Sequence, residues 1–146
     1  MNDSTWTWIS GSNKLNQQAY YGEKGVPNTN NIPSAREGAV GWYDSLRQEF
    51  WLFGGGGGKC AHLVPSFNNS LTQPVDFVND LWRYSVENNT WTWMGGNNST
   101  RQPGVYGEKG IASTENIPGG REGAVGWYDS LRQEFWLFGG YGLTNA

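Results

Sequence analysis

The sequence predicts an all-β protein built from repeated four-stranded antiparallel units. Three observations carry that reading. The twenty residues Arg36–Gly55, REGAVGWYDSLRQEFWLFGG, recur letter for letter at Arg121–Gly140, 85 positions further on. Within a period the apolar residues fall in short runs bounded by Gly, Asn, Asp and Ser, and no segment of ten or more residues has a helical apolar period. Gly 22 and Trp 9 in 146 residues join large rings to many turn positions, a composition that suits short strands and does not suit a disordered linker.

One period holds four strand-like segments. The first is Ala39–Tyr43, and Asp44-Ser45 opens the turn after it. The second, Glu49–Phe53, has Phe50 and Leu52 on one face and Trp51 and Phe53 on the other, as in a strand covered on both sides, and Gly54-Gly55 stops it. The third, Asp80–Ser85, mixes polar and apolar positions. The fourth, Thr90–Met94, alternates Trp91 and Trp93 against Thr92, and Glu87-Asn88-Asn89 marks a hairpin turn between the last two. The 85-residue offset also pairs Trp6-Thr7-Trp8 with Trp91-Thr92-Trp93, and Tyr21-Gly22-Glu23-Lys24-Gly25 with Tyr106-Gly107-Glu108-Lys109-Gly110. The two copies of the twenty-residue stretch are expected to adopt one hairpin shape.

Residues 1–10 then read as the outer strand of a preceding unit and 36–95 as a whole unit, with 121–146 as the first half of the next. Residues 11–35 and 96–120 are long loops between units, and 56–78 is a long loop within one. Connections of this length are uncommon unless functional or mobile, and the five glycines Gly54–Gly58 predict mobility in 56–78.

Four short antiparallel strands per period suggest the blade of a β-propeller. The Gly-Gly doublets (Gly54-Gly55 and Gly139-Gly140), Tyr84 and Trp91 with six residues between them, and Asn79-Asp80-Leu81-Trp82 make the chain resemble the kelch-type propellers, among them the central domain of galactose oxidase. The resemblance spans nearly the whole chain outside the long loops, and the period exceeds the roughly 50 residues usual for that family. It implies that the doublets turn sharply beneath an aromatic layer and that Tyr84 and Trp91 fill the space between blades. One outer strand, one whole blade and one half blade cannot close a ring of about four to eight blades. The expectation is therefore an incomplete propeller: a piece of a longer chain, a shortened chain or an oligomerising unit.

Composition excludes several functions. With ten Lys and Arg against thirteen Asp and Glu the chain carries net charge −3 and no basic stripe, so nucleic acid is not an expected partner. It has no apolar run of about 18 residues and no basic-then-apolar start, so neither a membrane span nor a signal peptide is expected. Five Asn-x-Ser/Thr sequons, at Asn2, Asn68, Asn88, Asn97 and Asn98, permit secretion without showing it, and the compartment stays open.

Catalytic candidates are few. Cys60 and His62 are the only Cys and His, too few for structural zinc, for a Ser or Cys triad, or for the copper site of galactose oxidase. Glu37, Asp44 and Glu49, with copies Glu122, Asp129 and Glu134, sit at strand edges and turns with no spacing that suggests a catalytic pair, and Asp80 reads as a strand-start residue. No enzyme activity, metal or cofactor is expected.

Binding has more support. The resemblance places Arg36 and Arg121 at one mouth of the central channel, where their guanidinium forks suit acidic peptides. Trp42 and Trp127, near strand ends, could instead stack on sugars. The expected function is a protein- or peptide-binding scaffold, with a glycan-binding propeller or a self-assembling structural repeat as alternatives. Self-association is expected through two open strand edges, Thr5–Ile9 and the second strand of Ala124–Phe138, whose Phe135–Phe138 run is apolar.

Overall fold

The computed structural model describes residues 4–57 and 76–142. Among these residues every regular element is a strand. In chain order they are β1 (Arg36–Glu37), β2 (Val40–Asp44), β3 (Glu49–Phe53), β4 (Gly56–Gly57), β5 (Leu81–Ser85), β6 (Thr90–Gly95), β7 (Arg121–Glu122), β8 (Val125–Asp129), β9 (Glu134–Phe138) and β10 (Tyr141–Gly142). The main sheet is an antiparallel meander in the order β2-β3-β5-β6, and β8-β9 form a separate hairpin. Two-residue ladders, β1 with β4 and β7 with β10, tie the start of each hairpin to the glycines after it. The architecture is compatible with a β-propeller-like fold, and among the described residues no sheet closes on itself.

The strand boundaries follow local chemistry. In the first hairpin the Asp44 carboxylate accepts from the backbone N–H of Leu46 (3.0 Å) and of Arg47 (3.3 Å), and from the Arg47 guanidinium at 2.7 Å. Asp129, Leu131 and Arg132 repeat the arrangement in the second hairpin, at 3.0, 3.1 and 2.8 Å. An Asp at the head of a turn satisfies backbone donors that the ladder leaves over. The ladders match too: Val40 faces Phe53 and Trp42 faces Trp51, as Val125 faces Phe138 and Trp127 faces Trp136.

Directly opposed residues share a face, so the register sorts the main sheet into two. One face carries Val40, Trp42, Trp51, Phe53 and Leu81, and packs on Ala124, Tyr128, Phe135 and Leu137. This is the core. The other face carries Gly41, Tyr43, Phe50, Leu52, Trp82, Tyr84, Trp91 and Trp93. Over its β5–β6 half, Tyr21 lies against Trp82 and Trp93, with ring centroids 5.0 and 5.1 Å apart, and Asn31 donates to the Trp91 carbonyl.

Several expectations change. Residues 4–10 form no strand, and Trp6 is 98% exposed. A strand is defined by its partner, and no strand among the described residues offers one to Thr5–Ile9. The predicted first strand begins one residue later, at Val40, and the third at Leu81. The long loops 11–35 and 96–120 are pinned at isolated bridges, Tyr20 to Ile32 and Val105 to Ile117. Within the predicted mobile loop 56–78, Gly56 and Gly57 pair with β1, and Phe77 and Val78 are buried. Residues 58–75 of that loop, with Cys60, His62 and the sequon at Asn68, lie outside the described residues, as does the sequon at Asn2.

Candidate functional site

The ladder β1–β4 sets Arg36 directly before the first hairpin. Its Nη1 donates to the Gly54 carbonyl at 2.9 Å and its Nε to the Ser34 carbonyl at 3.2 Å, which aims the fork across the strand ends. There it meets Asp80, the residue before β5. Nη1 donates to Oδ1 at 2.6 Å and Nη2 to Oδ2 at 2.9 Å, a bidentate pair in which the Arg36 side chain is 5% exposed and that of Asp80 is fully buried. The Tyr21 hydroxyl and the Trp82 indole N–H also donate to Oδ2, at 2.8 and 2.7 Å. Burial, then the Asp80 carboxylate, push the Tyr21 phenol well above its usual range. A buried carboxylate is tolerated when its lone pairs are used by charged and neutral donors together.

The duplication builds the same cradle a second time, without the carboxylate. Arg121 donates from Nη1 to the Gly139 carbonyl at 2.8 Å and from Nε to the Gly119 carbonyl at 3.1 Å. Its Nη2 donates to the hydroxyl of Tyr106, the copy of Tyr21, at 2.7 Å. Among the described residues no carboxylate pairs with Arg121. Among the described residues the next strand position is also open: in the main sheet β5 occupies the edge of β3, whereas β9 pairs with β8 alone. Beside β9 lies a cavity of about 400 Å³ lined by Trp42, Phe53, Leu81, Met94, Phe135 and Leu137 among others.

The two arginines marked as binding residues thus have different positions. The fork of Arg36 is taken by Asp80. Arg121 is half-buried with its fork turned to a hydroxyl. The tryptophans separate in the same way. Trp42 is 8% exposed, beneath Phe135 and with its indole N–H on the Trp136 carbonyl at 3.2 Å, so it offers no sugar-stacking surface. Trp127 is 48% exposed and stacks on Trp136, with centroids 5.9 Å apart and planes 5° from parallel. Gly54 and Gly55 both have positive φ, and the Gly55 N–H donates to the Arg121 carbonyl at 2.7 Å, which joins the two hairpins at the doublet. Gly139 and Gly140 also have positive φ. Tyr84 and Trp91 pair ring to ring at 5.0 Å, on the face turned away from β8–β9.

Sequence reasoning missed Asp80 as the centre of the site. Its signal was an acid flanked by the residues of a buried strand, with no turn of its own to serve. Tyr21 carried a signal as well, since its motif repeats at the duplication offset. Among the described residues no three His, Cys, Asp or Glu side chains cluster as a metal site would require. The chain matches no protein-family model and no curated protein.

Proposed function

We propose that this chain is a non-enzymatic, kelch-like propeller segment that binds a protein or peptide, and that the bound element is an extended strand bearing an acidic residue. The supporting observation is the pair of cradles. The chain's own Asp80 fits the Tyr–Arg–Gly carbonyl arrangement at Arg36, and at the copy, Arg121 and Tyr106, no described residue takes that position. A strand added to β9 by ladder hydrogen bonds would carry its acid to Arg121 in the way that β5, pairing with β3, carries Asp80 to Arg36. The side chain two places later, where Trp82 stands in the template, falls on the face of β9 that holds Phe135 and Leu137, towards the apolar cavity. The motif is acid, any residue, aromatic.

The glycan reading has less support. Of its two tryptophans Trp42 is buried, and the face of Trp127 is a sequence copy of one that packs protein.

The test is titration of the chain with the labelled peptide Asn-Asp-Leu-Trp-Arg-Tyr-Ser, followed by fluorescence anisotropy. Saturable binding is expected, weakened about tenfold or more by Arg121→Ala or by Asn in place of the peptide's Asp, because hydrogen bonds to a charged group are worth about 1.5–3 kcal/mol. Equal affinity for the Asp and Asn peptides overturns the proposal.

A further inference from the structure

The twenty-residue duplication gives the molecule two copies of one hairpin, and the hairpins use opposite faces. The first buries Val40, Trp42, Trp51 and Phe53 against the second. The second meets them with the other side, Gly126, Tyr128, Phe135 and Leu137, as its register requires. Each hairpin therefore has one face in the interface and one face outside it. The outer face of the second hairpin is Val125, Trp127, Trp136 and Phe138, the same residues that form the buried face of the first. Phe53 is 5% exposed, and its copy Phe138 is 74% exposed. The outer face of the first hairpin is Gly41, Tyr43, Phe50 and Leu52, the copies of the residues that cover the core; Tyr43 and Phe50 are both close to half exposed.

We propose that the chain associates head to tail with a second copy of itself, the Val125–Trp127–Trp136–Phe138 face of one molecule seating on the Gly41–Tyr43–Phe50–Leu52 face of the next. The occupant is specified by the intramolecular contact, which shows that these two surfaces fit. Three features of that contact have unused copies. First, Trp42 packs on the bare backbone of Gly126, where a β-carbon would collide with its indole. Gly41 is the same bare position, and among the described residues a β-carbon there would meet the Trp51 carbonyl oxygen at an ordinary 3.7 Å and no side chain. Second, Phe135 contacts both Trp42 and Trp51, at centroid distances of 5.5 and 5.0 Å, whereas Trp127 and Trp136 stack on each other. Phe50 of an incoming copy would take the position of Phe135. Third, Arg47 Nη2 donates to Gln133 Oε1 at 2.9 Å across the rim, and Arg132 and Gln48 are the matching pair for the new interface.

This surface is a strand face and not the β9 edge, so it is separate from the peptide site. The contact is heterologous: repeating it generates a ring if the rotation closes and a filament if it does not.

The experiment is light scattering on the full chain over the micromolar range, with two charge variants, Phe50→Glu on one face and Trp136→Glu on the other. The unaltered chain is expected to grow in mass with concentration, and each variant alone to remain monomeric. Their mixture is expected to form a one-to-one dimer and nothing larger, because each supplies the face the other has lost. Near-ultraviolet circular dichroism checks that each variant folds. If either does not, Tyr43→Ser and Val125→Ser carry the same test. A monomeric unaltered chain, a mixture that forms no dimer, or large species persisting in a single variant, as edge pairing through β9 would give, overturns the proposal.

Discussion

Arg36 and Arg121 lie in identical twenty-residue contexts, so replacing each by Ala measures what tertiary structure adds to one side chain. At Arg36 the change removes a bidentate, buried ion pair and leaves the Asp80 carboxylate in the interior with, among the described residues, the Tyr21 hydroxyl and the Trp82 indole as its side-chain donors. Removing one member of a buried pair costs about 3–5 kcal/mol, chiefly because the remaining charge is uncompensated. At Arg121 the same change removes bonds to two carbonyls and one hydroxyl at a partly solvated position, and water replaces them. That loss is about 1 kcal/mol or less. For a chain of this length, 3–5 kcal/mol lowers the melting temperature by roughly 10–20 °C, and 1 kcal/mol by about 4 °C. Thermal melts followed by tryptophan fluorescence, at a concentration where mass is constant, read both. Asp80→Asn is expected to resemble Arg36→Ala, since it leaves the guanidinium unpaired. Similar shifts for Arg36→Ala and Arg121→Ala would refute the reasoning, because they would mean that the Asp80 contact contributes nothing beyond the local bonds.

Further outcomes follow from the same duplication. Trp42→Ala removes a buried ring from the core and is expected to cost about 3–5 kcal/mol, while Trp127→Ala, in the monomer, removes a half-exposed ring and its stack on Trp136 and is expected to cost about 0.5–1.5 kcal/mol; urea titration separates them. Gly54→Ala and Gly139→Ala both place a side chain at positive φ, near +70°, costing about 1–2 kcal/mol. At Gly54 the added methyl would also lie 2.7 Å from the Arg121 carbonyl oxygen, and at Gly139 it meets nothing within 4 Å, so a larger loss is expected at Gly54, and equal losses would count against the packing of the two hairpins. Burial raises the Asp44 carboxyl, but the hydrogen bonds from Arg47 outweigh it and hold the group below its usual 3.8. The stability this contributes is present above about pH 4 and lost as pH falls through the lowered value, and Asp44→Asn should flatten the acid limb of a stability–pH curve. Tyr21 has the opposite sign: its raised phenol favours the folded, neutral form, so its contribution is intact below pH 10 and lost above it, and Tyr21→Phe should remove that alkaline dependence.

The sequence by itself determined each hairpin. Asp44 and Asp129 cap their turns alike, the two ladders share one register, and both arginines reach back to the carbonyl of the first glycine in their doublet. These are contacts between residues close in the chain, so identical segments make them identically. The all-β class and the main-sheet strands were legible for the same reason, since alternation and turn residues are local signals. Only the tertiary structure decided which copy is buried. Trp42 is in the core because Phe135 and Leu137 lie opposite it, and Trp127 is exposed because no described element lies opposite it. Arg36 is an ion pair because β5 brings Asp80 beside it, and no described strand stands to Arg121 as β5 stands to Arg36. Residues 4–10 form no strand although they share Trp-Thr-Trp with β6, because strand pairing requires a neighbour. Burial and pairing depend on what the rest of the chain places opposite a segment, and two identical segments contain no information about that difference.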